Sequence, residues 1–351
     1  DVNGDGLDDM LVANPTFGSN DGRVYLIYGK ASGASVEVNT LPTLGASNGV
    51  GFMVTADTAI DGSATPRLSS VSSGDINGDG YADVMVGAPS ATAFNGGPSV
   101  AYIVYGGKSM ANVDAAAFTS SQGFTITGPV NNYFSNSVSG VGDVNGDGIS
   151  DMLLNSTVDK SAYVVYGSTT NSNLNLSSST IAQSQGFKIK VDSMSDHVSG
   201  AGDFNGDGLS DLIVTTGGGA YVVYGKTGSA NVSLSSVNAG SGGFVINGIT
   251  TGTGAVTFGL SGGGDINGDG LTDILLTTYT NGGATASYVV YGKTNTTAVN
   301  LSNLQSSGAG YAFGPTTGPS AYAIGNAGDV NGDGFDDAAR SFAVHAFFQS
   351  K

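Results

Sequence analysis

The 351-residue chain contains no cysteine, no tryptophan, a single glutamate (Glu37) and two histidines, His197 and His345. Without cysteine there are no disulfides, no thiolate metal ligands and no thiol nucleophile. Neither histidine stands in a triad-like pattern with serine and an acid, and no nucleophile elbow occurs. A lone histidine is more often packed or superficial than catalytic. Glu37 lies in a polar connector and Arg23, Arg67 and Arg340 are scattered, so an acid pair of the glycosidase kind has few residues to draw on. No apolar run approaches the ~20 residues that span a membrane. There is no basic run or basic helix to face a nucleic acid, and no signal-peptide pattern.

What the chain does hold is one nine-residue stretch, repeated six times. Copies start at Asp1, Asp75, Asp143, Asp203, Asp265 and Asp329, each reading Asp-(Val/Ile/Phe)-Asn-Gly-Asp-Gly-x-x-Asp. Positions one, three, five and nine carry side-chain oxygen, and position seven can offer its backbone carbonyl. Calcium takes six to eight oxygens in a flexible shell, and alternate residues of a tight loop can direct them inward. The expected calcium ligands are Asp1, Asn3, Asp5, Leu7 and Asp9 in loop one, and Asp75, Asn77, Asp79, Tyr81 and Asp83 in loop two. Loop three supplies Asp143, Asn145, Asp147, Ile149 and Asp151, and loop four Asp203, Asn205, Asp207, Leu209 and Asp211. Loop five supplies Asp265, Asn267, Asp269, Leu271 and Asp273, and loop six Asp329, Asn331, Asp333, Phe335 and Asp337. Up to six ions are expected. The apolar residue at position two is expected to plug the space under the loop.

An EF-hand would place a bidentate glutamate at position twelve. Here that position holds Val12, Val86, Leu154, Val214, Leu276 and Arg340, and the loop runs on into an apolar strand. A metal-free set of Asp/Asn/Gly turns is the plain alternative. Three carboxylates within nine residues repel one another unless a cation lies among them, which favours metal. The formal net charge is −17, and the six loops account for three aspartates each. Apart from these eighteen, ten acids, Asp8 and Asp336 of the loops among them, face eleven Lys and Arg, so the acidity belongs to the loops. Six calcium ions would leave about −5, and the calcium-free chain would repel itself at the loops.

Around each loop lie four short β-type runs. The third recurs as Val24–Gly29, Ala101–Gly106, Ser161–Gly167, Ala220–Gly225 and Ser287–Gly292, apolar on both faces and so covered on both. The fourth opens with Gly-Phe at Gly51, Gly123, Gly186 and Gly243, with a looser version at Tyr311-Ala312-Phe313. Connectors between the third and fourth runs carry a short Leu/Val pattern, such as Val299 to Leu304, that reads as a helical turn or a short extra strand. The fold class is therefore all-β, a β-propeller of four-stranded blades with six calcium-loop repeats, six- or seven-bladed and with ring closure left open. One propeller domain is expected over residues 1–351, its repeats ending near 66, 134, 194, 256 and 320 with a partial sixth.

The run Phe134 to Asp143, the loop itself and Val86-Gly87-Ala88-Pro89 resemble the FG-GAP repeat of integrin α-subunit propellers. The Tyr-Gly-Lys ends at Gly29-Lys30, Gly225-Lys226 and Gly292-Lys293 are similar to the bacterial integrin-α-like version found in large secreted calcium-binding proteins. The resemblance implies calcium in the hairpin between the first and second strands of each blade. It names no ligand. The chain departs from it in showing six loops instead of seven blades, in opening inside a loop, and in ending fourteen residues after Asp337. Opening on a loop's first ligand reads as a mature or excised piece of something longer. The tail Ser341–Phe348, one strand or two short ones, is expected to fill the open edge of repeat one, in the same chain or in a neighbour.

These readings give a secreted or cell-surface module of bacterial type, adhesive or ligand-binding, with calcium structural and no enzyme activity. Its carbohydrate or protein partner would meet the face opposite the loops, at connectors Asn14–Gly22, Ala88–Ser99, Asn155–Ser161 and Thr278–Ser287, with Phe17, Phe94 and Tyr279 as stacking candidates. The alternatives are a structural subunit of an extracellular fibre, sheath or giant adhesin, self-associating through an open blade edge, and a polysaccharide-active enzyme scaffold.

Overall fold

A computed structural model describes residues 1–14, 22–32, 35–36, 50–55, 68, 70–89, 98–130, 133–157, 159–191, 195–217, 219–248, 256–262, 264–279, 285–313, 323–342 and 345–349. They form two compact units, Asp1–Gly140 with Gly148–Lys188, and Val141–Asp147 with Ile189–Lys351.

The repeats are β-propeller blades, each an antiparallel meander in chain order. Repeat two shows the plan, with Ser70–Gly74, Asp83–Ala88, Pro98–Val104 and Gly123–Val130 pairing in sequence. The nine-residue loop fills the hairpin between the first and second strands. In repeat four the same plan runs through Ser195–Gly202, Asp211–Thr216, Gly219–Val223 and Gly243–Asn247, and in repeat five through Val256–Gly262, Ile274–Tyr279, Thr285–Val290 and Gly310–Phe313. Repeat one holds Met10–Asn14, Arg23–Ile27 and Gly51–Thr55, the second to fourth strands of the plan.

The Gly-Phe signature has a steric cause. Gly51 has φ 148°, and a Cβ there would lie 1.9 Å from the Leu26 carbonyl oxygen on the neighbouring third strand. Gly123, Gly186, Gly243 and Gly310 repeat this approach, so only glycine starts the fourth strand. The phenylalanine that follows is buried in each Gly-Phe copy (Phe52, Phe124, Phe187, Phe244). Burying such a side chain stabilises by ~1.5–3 kcal/mol.

Position two behaves as expected in five loops. Val2, Ile76, Val144, Phe204 and Ile266 are buried, whereas Val330 is 55% exposed. Val2 packs among Val24 and Leu26 of its own repeat and Val84, Val86 and Tyr102 of the next. Phe204 packs likewise among Ile213, Val222, Ile274 and Leu276. The plug is thus a wedge between a blade and its successor, and loop six lacks the second wall among the described residues.

The connector pattern is both of its alternatives in succession. Val299–Asn300 forms a two-residue strand, followed by the 3₁₀ turn Leu301–Asn303 and the short helix Leu304–Ser307. That strand pairs in parallel with the fourth strand of the preceding repeat, Val299 opposite Ile246. Val113 does the same for Val54, Leu174 for Ile126 and Val232 for Ile189. Asparagine side chains extend two of these seams, Asn112 Oδ1 accepting from Met53 N at 2.9 Å and Asn173 Oδ1 from Thr125 N at 3.0 Å. The outer edges of repeats one to four are therefore covered by the following repeat.

The tail corrects one expectation. It forms Ala338–Phe342 and His345–Gln349, which pair with each other and with Ala323–Asn326 in the sheet of loop six. Within one chain and among the described residues it is not part of the sheet of repeat one, which consists of that repeat's three strands and Val113–Asp114. A hairpin closed within a few residues forms at far lower entropic cost than a pairing across the whole chain. Ala338 also directly follows the loop, as every second strand does.

Candidate metal centre

Each loop is wound by its own acids. In loop one Asp1 Oδ1 accepts from Gly4 N at 2.7 Å and Asp5 N at 3.1 Å, while Oδ2 accepts from Gly6 N at 2.7 Å. Asn3 Oδ1 accepts from Asp5 N, Asn3 Nδ2 donates to Asp5 Oδ2, and Asp5 Oδ1 accepts from Leu7 N. Loops four and five repeat the set nearly bond for bond. Positions one, three and five are thereby gathered on one turn at the surface.

Position nine is different. Asp83, Asp151, Asp211, Asp273 and Asp337 are buried. In loop two, Asp83 Oδ2 accepts from Ile76 N at 2.9 Å and Asn77 N at 3.2 Å, while Oδ1 accepts from Gly106 N at 2.9 Å. The glycine donor is the one in the Tyr-Gly pair ending the third strand. Gly29, Gly167, Gly225 and Gly292 play the same part for Asp9, Asp151, Asp211 and Asp273. This explains why the third strand stops before Tyr-Gly: the chain leaves the ladder to bind the loop's last acid. Burial, with the neighbouring loop carboxylates adding to it, pushes Asp83, Asp211 and Asp273 up to about 7 against the pull of these N–H groups. The Tyr-Gly tyrosines lie in the same field. Tyr28 and Tyr224 are pushed up to about 12 by burial first and then by Asp9 and Asp5, or Asp211 and Asp207.

The donor set fits a hard cation: carboxylates, an amide oxygen and a carbonyl, with no nitrogen or sulfur ligand. Each carboxylate accepts about four hydrogen bonds or ligand contacts, so the N–H bonds present leave capacity unused. In loop six Asp337 Oδ1 is buried with no hydrogen-bond partner among the described residues; in the other loops this oxygen accepts from the Tyr-Gly N–H. Among the described residues no group of three or more acids and histidines is gathered closely enough to hold a metal by itself. The position-nine carboxylate is shared with the backbone clamp.

Consecutive loops are also joined. The carbonyl of position two accepts an N–H from just past the next repeat's Tyr-Gly: Gly107 to Val2 at 2.8 Å, Ser168 to Ile76 at 3.0 Å, Lys226 to Val144 at 2.8 Å and Lys293 to Phe204 at 3.0 Å. Lys226 Nζ then donates to Gly228 O and Ala230 O, and Lys293 Nζ to Asn295 O and Thr297 O. Lys293 Nζ lies 3.7 Å from the centre of the Phe244 ring. Tyr-Gly-Lys is thus a fastening unit, not a strand end. Its recurrence was the available signal, masked by its place at the end of an apolar run.

His197 is exposed on the first strand of repeat four, where its backbone N–H donates to Thr215 Oγ1 and its carbonyl accepts from the same hydroxyl. Phe17, Phe94, Glu37 and most of connectors 14–22, 88–99 and 278–287 lie outside the described residues, as does the side chain of Tyr279. Asn155 and Ser161 are buried, Asn155 Oδ1 accepting from Ser137 N.

Antiparallel blades carrying an acid-wound loop in the first hairpin define the class, a β-propeller of loop-bearing repeats. Residues 68–105 and 197–234 match the FG-GAP repeat, and residues 1–86 the FG-GAP-like repeat. Among solved structures the chain is similar to two crystal structures of BBS1N in complex with ARL6DN. One, soaked with lead, matches at TM-score 0.46 and 9% identity over 97% of this chain and 78% of that one. The other, soaked with mercury, matches at TM-score 0.45 and 9% identity over 95% and 76%.

Proposed function

We propose that the chain is a calcium-binding, ligand-binding or adhesive module in which calcium is structural. The observation that carries this is the loop: all-oxygen donors, wound by backbone N–H groups, in six copies of one sequence. Residues at positions one, three, five, seven and nine would hold the ion, with position nine also fixing the loop to its blade. A bound cation supplies positive charge among the carboxylates. Everything else is the chain's own work, since the position-nine clamp holds the loop on the blade and the wedge at position two holds one blade to the next.

Loops such as these make most sense where calcium is abundant, which supports a module outside the cell or at its surface. No helix among the described residues is long and apolar enough to cross a membrane. The partner is a carbohydrate or protein met at the connectors opposite the loops, and no catalytic step is assigned. Calcium titration by calorimetry tests the reading. Heat from up to six ions and a raised melting temperature support it; no heat and an unchanged melting curve refute it.

A fibre or sheath subunit is the second reading. It is supported by Leu7, Met10 and Val12, exposed at 38%, 61% and 39% along repeat one, and by exposed Val330 in loop six. Light scattering in calcium separates the two, because a monomer at high concentration excludes the fibre.

A further inference from the structure

The peptide between positions seven and eight faces two loops at once. Its carbonyl is the position-seven oxygen that, on the calcium reading, would meet the ion of its own loop. Its N–H donates to the position-one carbonyl of the loop before it. The bonds are Ala82 N to Asp1 O at 3.1 Å, Ser150 N to Asp75 O at 3.2 Å, Ser210 N to Asp143 O at 2.8 Å, Thr272 N to Asp203 O at 3.3 Å and Asp336 N to Asp265 O at 3.2 Å. Side chains reinforce the contact. A Cβ on Gly4 would meet Tyr81 at 2.4 Å, and one on Gly268 would meet Phe335 at 2.3 Å, so position seven of one loop rests against position four of the last. Between loops five and six the bond is answered in return, Asp265 N donating to Asp336 Oδ2 at 2.8 Å.

A peptide whose carbonyl is drawn towards a cation becomes a stronger N–H donor, because hydrogen-bonded groups polarise one another. Position one is also the acid whose two oxygens hold three N–H groups of its own loop. Fixing its backbone therefore fixes that frame. We propose that neighbouring loops bind calcium cooperatively, with the position seven–eight peptide as the coupling element. A filled loop raises the affinity of the loop before it, and by reciprocity of the loop after it. This rests on the calcium reading above, which it extends from six sites to linked ones.

The test is a calcium titration of the whole chain with ion counting by native mass spectrometry, on the parent, Asp269→Asn and Asp5→Asn. Loop five is bridged on both sides and loop one, among the described residues, on one. The parent is expected to titrate with a Hill coefficient above one and with partly filled species under-represented. Asp269→Asn should lose one ion and weaken two others about fivefold or more, while Asp5→Asn should lose one and weaken one. A parent filled at random, with variants that each lose a single ion and leave the rest unchanged, overturns the coupling and leaves the calcium reading intact. A parent that binds no calcium overturns the calcium reading itself. If a variant fails to fold, the distribution of filled species in the parent decides alone.

Discussion

Gly106 N donates to Asp83 Oδ1 at 2.9 Å, tying the end of a third strand to the last acid of its own loop. The same pair recurs as Gly225 and Asp211 at 2.8 Å. In repeats one to five the bond makes position nine the fixed point of the blade, and its removal should be felt in stability.

Asp211→Ala leaves the N–H groups of Asn205 and Gly225 without their carboxylate, while Phe204 N keeps the Gly202 carbonyl. Unpaired buried donors cost about 1–3 kcal/mol each, less what water recovers. The variant is expected to be less stable by several kcal/mol in urea denaturation, with chelator present so that calcium plays no part. A change under about 0.5 kcal/mol, the range of ordinary surface substitutions, would show the clamp to be incidental.

Gly268 and Gly270 both hold positive φ, 78° and 87°, but only Gly268 is crowded, by Phe335. Each alanine substitution should cost about 1–2 kcal/mol for the left-handed backbone. Gly268→Ala should cost more, and Phe335→Ala should recover the excess. A double-mutant cycle with no coupling between Gly268→Ala and Phe335→Ala would remove the packing claim.

Burial holds the Lys293 ammonium down, to about 8, against an ordinary lysine value of ~10.4 in the unfolded chain. Between these values the folded state binds fewer protons than the unfolded one, so stability rises with pH across that window. The parent should therefore gain stability relative to Lys293→Met as pH goes from about 8 to 10. Parallel curves for the two proteins would contradict the shift.

Chelation should lower the melting temperature in low salt more than in high salt, because exposed loop carboxylates repel through solvent that salt screens. At free calcium near a hundred times Kd, each independent site contributes ~2.7 kcal/mol. Melting curves with and without chelator at two ionic strengths give the comparison, and equal shifts at both would count against repulsion as the cause.

Much of this was legible from residues alone. The loop, its hairpin and the apolar wedge follow from Asp-Val-Asn-Gly-Asp-Gly and its spacing, because ligand chemistry and strand periodicity act within a few residues. The Gly106–Asp83 clamp was not, since it joins residues 23 apart and glycine carries no side chain to announce its role. The staple at Lys293 escaped for a related reason: its partners Asn295 and Thr297 offer only carbonyls, which every sequence has. The tail's own sheet was not legible because its apolar residues suit any open edge, and the short loop that pairs its two strands reflects an entropic preference, not a motif. Glycine at the head of the fourth strand was seen as a signature, but the close approach of the Leu26 carbonyl that demands it belongs to the fold.

Two residues of each connector complete the sheet of the repeat before, as Val113 and Asp114 do beside Val54 and Thr55. The unit that is copied in the sequence and the unit that stands as a sheet are consequently out of phase. A segment cut at sheet boundaries loses its outermost strand, while one cut at the loops carries half of two sheets. Gain or loss of a repeat during descent is then a splice between partners already shaped to accept each other, so the array can lengthen or shorten without inventing a new joint.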